Sequence, residues 1–222
     1  MEKQLFNPRR LETSDTLILN PFFWDARYYE DLKKRCQYHF PLIQTEMLVF
    51  DGYSLISGFL GYSHILTMLE FVEGVREKEI YFLGTAGSLS AAIDEPCICN
   101  VREIYASAIF EHFSTEKSLD MVEWNAGEIK KVKGVSVDLI QRETPDWLRE
   151  QEEKGIDIVE MEIFPLRVYL QKPFSAMVVL TDRVAHSGAR EFADKKKFQQ
   201  EFVRAYEIIV RKIHESSGHL NP

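Results

Sequence analysis

Short apolar, β-branched runs alternate along this chain with longer stretches in which apolar residues recur at helical spacing. Thr16-Leu17-Ile18-Leu19, entered at Asp15 and ended by Asn20-Pro21, reads as a short buried strand. A charged helix is predicted over residues 26–38. Residues 46–50 and 53–58 flank Asp51-Gly52, a strong hairpin dipeptide, and are predicted to pair. Ile65, Leu66, Leu69 and Val72 predict a helix over 63–74 with Ser63 as its N-cap. Strands are predicted at 78–83, 93–101 and 134–140, the last by its β-branched content. Residues 102–118 are ambiguous, and 123–133 read as a charged hairpin or excursion. A charged helix over 145–154 follows Thr144, a good cap residue. Residues 156–182 read as strand, helix, strand. A last helix over about 189–216 carries Phe192, Phe198, Phe202, Tyr206, Ile209, Val210 and Ile213 on one side. Such alternation predicts a mixed α/β sheet covered on both faces.

The length of 222 residues suits one large α/β domain, with residues 1–14 as an N-terminal arm. Apolar content of 45% is enough for a full core and too high for disorder. Net charge of −8 argues against a nucleic-acid surface, so Lys195-Lys196-Lys197 reads as the solvated face of the last helix. Three cysteines and no signal peptide suggest a reducing, cytoplasmic setting. Cys97 and Cys99 are read as ordinary buried thiols on opposite faces of a strand. No apolar run approaches a membrane span of ~20 residues, so no membrane partner is expected. His64 reads as a helix-surface residue; His112, His186 and His214 have no ligand-like spacing, and neither a metal nor a cofactor is expected. The aromatic run Phe22-Phe23-Trp24 reads as core ahead of a pocket lid.

Candidate chemistry sits in two places. Gly84-Thr85-Ala86-Gly87-Ser88-Leu89 is a glycine-rich turn directly after a predicted strand. Its N–H groups and the Thr85 hydroxyl could donate to an anion or a sugar. Glu162 comes just after the tight run Val159-Glu160-Met161 and Asp182 just after the apolar run Ala176 to Leu180, the ends of buried strands where open α/β sheets place their chemistry.

Three segments in this order resemble the nucleoside phosphorylase and nucleosidase superfamily: the glycine-rich segment from Gly84 to Leu89, Val159-Glu160-Met161-Glu162, and Val179-Leu180-Thr181-Asp182. Weaker matches run from Asp15 to Tyr28, Ser57 to Gly61, Ile93 to Ile98 and Ser136 to Ile140, so the resemblance spans nearly the whole chain. It implies a three-layer α/β/α sandwich with a mixed, partly closed central sheet, in homodimers or homohexamers. It implies a nucleoside substrate, of purine type, with water or phosphate as co-substrate. Asp182 would protonate the leaving base, which requires it to hold or share a proton in its buried site. Glu162 would bind the ribose hydroxyls, with Met161 and Leu60 packed on the sugar. Gly84 and Thr85 would face the nucleophile or phosphate. Leu139, Ile140 and Thr181 would meet the base, Ile140 standing where many members stack an aromatic ring.

The phosphate site departs from the family pattern. Phosphorylases carry a Gly-Asp-Pro-x-Arg loop after the first strand; here the residues are Pro21-Phe22-Phe23-Trp24-Asp25, with Asp25 at the arginine position. Phe82 stands at a second arginine position. A carboxylate a few ångströms from phosphate repels it by ~1–4 kcal/mol. Hydrolysis is therefore favoured over phosphorolysis, with Asp25 as the candidate base for water. Phosphorolysis through a rearranged site, and a non-catalytic nucleoside-binding relative, are the alternatives. Arg27 and Arg190 match no motif, and Arg183 is a candidate ion-pair partner for Asp182 that would oppose its acid role.

Overall fold

The computed structural model describes residues 11, 13–41, 45–59, 61–90, 93, 96–124, 129–140, 143–184 and 190–217. Eleven strands and five α-helices are described. The first half holds β1 (Thr16–Asn20), α1 (Ala26–Arg35), β2 (Tyr38–Pro41), β3 (Glu46–Val49), β4 (Ser54–Ser57), α2 (Gly61–Leu69), β5 (Glu79–Ser88), β6 (Ile98–Ala106) and β7 (Ser118–Asp120). A 3-10 turn, Ala108–His112, lies between the last two. The second half holds β8 (Lys130–Ser136), α3 (Pro145–Glu153), β9 (Ile158–Glu160), α4 (Ile163–Leu170), β10 (Ser175–Val184), β11 (Arg190–Phe192) and α5 (Lys195–Ser216).

The strands form one mixed sheet in the order β11-β10-β6-β8-β9-β5-β1-β4-β3-β2, with β7 on β6. A further pairing of β5 with β10 closes five strands (β5, β10, β6, β8, β9) into a ring. This is the partly closed mixed sheet that the resemblance implies.

Strand alternation builds the two outer layers. Leu17, Leu19, Ile80, Phe82, Ala176, Val178 and Leu180 pack on one face with Ile65 and Leu69 of α2 and Phe164, Leu166 and Leu170 of α4. Ile18, Tyr81, Leu83, Met177 and Val179 point the other way, onto Phe198, Phe202, Tyr206, Ile209 and Ile213 of α5. A smaller cluster, Val135, Val137, Leu148, Ile156, Val159 and Val184, seats α3 against the ring. Among the described residues no helix is long and apolar enough to cross a membrane.

Several predicted bounds shift. The helix expected over 63–74 starts at Gly61 and ends at Leu69, so Ser63 lies inside it rather than at its cap. The last helix starts at Lys195, capped by Asp194, and Phe192 is 75% exposed on β11 rather than on the helix. The strand expected over 134–140 runs from Lys130 to Ser136, which leaves Leu139 and Ile140 exposed beyond its end. Cys97 and Cys99 do not face opposite sides. A strand repeats every two residues, so both thiols lie on one side, 4.0 Å apart. His64 is half-buried, with its Nε2 2.9 Å from the Thr45 hydroxyl.

The glycine-rich stretch is the largest correction: it is not a turn. β5 continues through it to Ser88, because β10 pairs alongside, Gly84 with Val178, Thr85 with Val179 and Ala86 with Leu180. These glycines serve close approach. A Cβ on Gly84 would lie 2.4 and 2.8 Å from ring atoms of Phe82, itself 1% exposed and unable to move aside. Gly84→Ala is expected to cost about 1–3 kcal/mol by overpacking, read as a lower denaturation midpoint with an unchanged m-value.

Candidate active site

A cleft of about 210 Å³ opens where β5, β9 and β10 converge at the ring's closure. Gly87 permits this convergence. A Cβ there would lie 3.1 Å from Val184, 3.3 Å from Val159 and 3.4 Å from the Asp182 carboxylate. β10 carries a register shift between Leu180 and Asp182. In a regular strand, adjacent residues face opposite sides; the irregularity lets Thr181 and Asp182 both line the cleft.

Asp182 is 3% exposed. The Thr181 hydroxyl donates to its Oδ1 at 2.5 Å, and Arg190 donates to its Oδ2. The second arm of the Arg190 guanidinium donates to Glu143 Oε2 at 2.6 Å. One cation therefore bridges two buried acids. Burial raises the Glu143 pKa above the usual carboxylate range, against the lowering pull of Arg190. Arg183, the sequence candidate for pairing with Asp182, instead donates to the Ile93 carbonyl at 3.2 Å.

On the other side of the cleft, β9 delivers Glu160, Met161 and Glu162 into the N-terminus of α4. Glu160 is the buried anchor. Its carboxylate accepts from the Ser136 hydroxyl and from the Glu162 and Ile163 N–H groups, both at 2.7 Å. Ser136 Oγ in turn accepts from Phe164 N–H at 2.9 Å. Three of these four contacts satisfy N–H groups that the start of a helix leaves orphaned. Glu162 makes no cap bond of its own and lines the cleft. Its pKa is raised by burial first and by the Glu160 charge second; the Gly61 backbone N–H pulls the other way. Burial also raises Glu160, opposed by its bonds from Ser136, Glu162 and Ile163. Those bonds and the α4 N-terminus favour charge on Glu160, so the pair keeps its shared proton on Glu162.

The structure brings Asp182, Glu162, Met161, Gly84, Thr85, Ile140 and Thr181 to one cleft. Leu139 is 51% exposed and is not among its lining residues. Leu60 lies outside the described residues. Asp25 is placed elsewhere: its carboxylate caps α1, accepting from the Arg27 and Tyr28 N–H groups at 3.0 Å each, and it does not line the cleft. The run Phe22-Phe23-Trp24 divides. Phe23 is core, whereas Phe22 and Trp24 are exposed and form a wall of the cleft. Sequence reasoning left out Glu143 and Glu160 and gave Arg190 no site role. Glu160 carried a usable signal: in Val159-Glu160-Met161 the alternation points it opposite its apolar neighbours.

No protein-family model and no curated protein sequence matches the chain. Solved structures do. A Campylobacter jejuni 5'-methylthioadenosine/S-adenosyl homocysteine nucleosidase aligns with TM-score 0.67 at 12% identity, over 92% of this chain and 100% of that one. A Toxoplasma gondii purine nucleoside phosphorylase in complex with immucillin-H aligns with TM-score 0.66 at 14% identity, over 91% and 95%. A Trypanosoma brucei nucleoside phosphorylase with uridine phosphorylase activity aligns with TM-score 0.63 at 12% identity, over 92% and 94%. At these identities the likeness is one of fold, and the fold is that of the nucleoside phosphorylases and nucleosidases.

Proposed function

We propose that this protein binds an uncharged nucleoside in the cleft and cleaves its N-glycosidic bond with water. The sugar would lie against Met161 and Glu162, and the leaving base against Ile140, Asp182 and Arg190. One observation carries the choice of water over phosphate: Arg190 is the single cation among the described lining residues, and both its arms are already held by carboxylates. Against it stand Glu143, Glu160, Glu162 and Asp182. A phosphate dianion entering this field meets repulsion of ~1–4 kcal/mol from each nearby carboxylate that is ionised. The glycine-rich strand gives little compensation, because it is paired within the sheet.

Bond breaking leaves positive charge on the sugar and negative charge on the departing ring. Arg190, fixed by Glu143, holds a cation beside Asp182, where the negative charge grows. In this reading Asp182 passes the ring a proton that arrives with the substrate, because the Arg190 cation beside it favours the carboxylate form. The carboxyl pair Glu160–Glu162 orients the sugar hydroxyls and, as net negative charge, favours the oxocarbenium-like centre.

A binding module without turnover is the second reading. The observation that favours it is Asp25, the candidate base for water, whose carboxylate is engaged by two helix N–H groups. A purine and pyrimidine nucleoside panel, with and without inorganic phosphate, separates the readings. The expected result is free base released at a rate that saturating phosphate leaves unchanged. Release only with phosphate would make the protein a phosphorylase; tight binding with no base released would make it a binding module.

A further inference from the structure

A cavity of about 610 Å³ lies between α5 and the start of β6, and it shares no lining residue with the cleft. That volume is within the range of small-molecule sites. Its floor is apolar: Ile98, Ile129 and Ile208, with Trp124. All four belong to the cluster that seats α5 on the sheet. Its rim is one stripe of α5, where Glu201, Arg204, Ile208, Arg211 and Glu215 recur every three or four residues, with Lys212 beside them.

Two observations set this cavity apart from an ordinary charged helix face. The first is an excess of cations. Arg204 has Glu201 at 3.4 Å, but neither Arg211 nor Lys212 has a carboxylate partner among the described residues. With Glu201 so matched, two cations face one acid, Glu215, in a chain whose net charge is −8. The second is an unmet donor in the floor. Trp124 is 8% exposed; its backbone N–H donates to Asn100 Oδ1 at 2.8 Å, and its ring packs T-shaped on Tyr81. Its indole N–H has no acceptor among the described residues. Buried tryptophans ordinarily place that N–H on an acceptor, and leaving it unmet costs stability. Cations and a neutral donor without matching acceptors, over an apolar floor, call for an oxyanion attached to an apolar body. We propose that this cavity is a second ligand site, one that takes an organic oxyanion, a phosphate or carboxylate head on an apolar body. The head accepts from Arg211, Lys212 and the indole N–H, and the body covers Ile98, Ile129 and Ile208. Glu201 and Glu215 disfavour a second anionic group on the same ligand. The site uses nothing from the cleft, so it stands whether or not the protein cleaves nucleosides.

Titration calorimetry of the full chain with naphthyl phosphate, naphthaleneacetate, naphthol and inorganic phosphate tests this. The two organic anions are expected to bind saturably, at one site per chain, at least about tenfold more tightly than naphthol or inorganic phosphate. Whichever anion binds more tightly identifies the head that the site prefers. Arg211 and Lys212 are both exposed, so their replacement should leave the fold intact. The double variant Arg211→Glu/Lys212→Glu is expected to weaken binding by at least about tenfold. Lys195→Glu/Lys196→Glu makes the same change of net charge at the other end of α5, on exposed residues outside the cavity, and is expected to stay within about twofold of wild type. In proton–nitrogen NMR spectra of the wild-type protein, the Trp124 indole signal, assigned by its loss in Trp124→Phe, is expected to shift with the same saturation. No saturable binding of either anion, equal affinity for naphthol, equal loss in both double variants, or an unmoved Trp124 signal at saturation would overturn the proposal.

Discussion

Asp182→Asn is expected to lower kcat/KM for nucleoside cleavage by about 10²–10⁴-fold, the range lost when a positioned proton donor is removed. The substitution keeps the shape of the side chain and its contact with Thr181, and Arg190 remains held by Glu143. The sugar side of the cleft is untouched, so the loss should fall on kcat and leave KM within a few-fold. The ion pair makes this variant more informative than its burial alone would. If Arg190 supplied all of the stabilisation at the leaving base and Asp182 merely anchored it, asparagine would be tolerated. Turnover within about threefold of wild type would therefore remove Asp182 from the chemistry and leave Arg190 as the group that acts.

The same pair shows where the sequence was legible. Asp182 and Glu162 were readable because each follows a buried strand segment, Asp182 within β10 (Ser175–Val184) and Glu162 just past β9 (Ile158–Glu160), and position along a strand fixes where a side chain emerges. β1, the β3–β4 hairpin and α3 behind Thr144 follow from local signals of period, turn and cap, and these survive in the fold. Arg190 and Glu143 were not readable, because Arg190 reaches Asp182 only through the pairing of β11 with β10, and Glu143 meets Arg190 across 47 residues of chain. The glycine-rich stretch misled for a related reason. Glycine after a strand signals a turn when the neighbours are unknown; here Gly84 leaves room for the Phe82 ring of its own strand, and Gly87 eases the close approach of β9 and β10. Asp25 was placed at the cleft by alignment with a phosphate loop, whereas its own neighbours make it a helix cap, a signal present in the sequence and passed over.

The buried acids should also make folding stability fall as pH rises through neutrality, the reverse of ordinary carboxylate behaviour. Glu143, Glu160 and Glu162 all have folded pKa values above the ordinary 4.5. A raised group binds its proton more tightly in the folded chain. Its stabilising contribution is complete below about 4.5 and disappears as pH climbs through the folded value. Carboxylates with lowered values, Asp31, Glu103 and Glu123, titrate below that window and are already ionised within it. Each unit of raised pKa corresponds to about 1.4 kcal/mol, and a chain of this size loses about 2–4 °C in Tm per kcal/mol. Thermal melts from about pH 5 to about pH 8 are expected to show a steady decline, and a flat or rising Tm over that range would contradict the assignment. Two substitutions locate the source. Glu160→Gln keeps an acceptor for the α4 N–H groups but removes the charge beside Glu162, so it should flatten the pH slope with only a modest stability loss. Glu160→Ala removes the acceptor as well. It strands the Ser136 hydroxyl and the Glu162 and Ile163 N–H groups, at about 1–3 kcal/mol each, and should cost at least about 3 kcal/mol in all. A large loss in the alanine variant with a small loss in the glutamine variant separates anchoring from charge, and it is the anchoring by Glu160 that sets where Glu162 can meet a sugar.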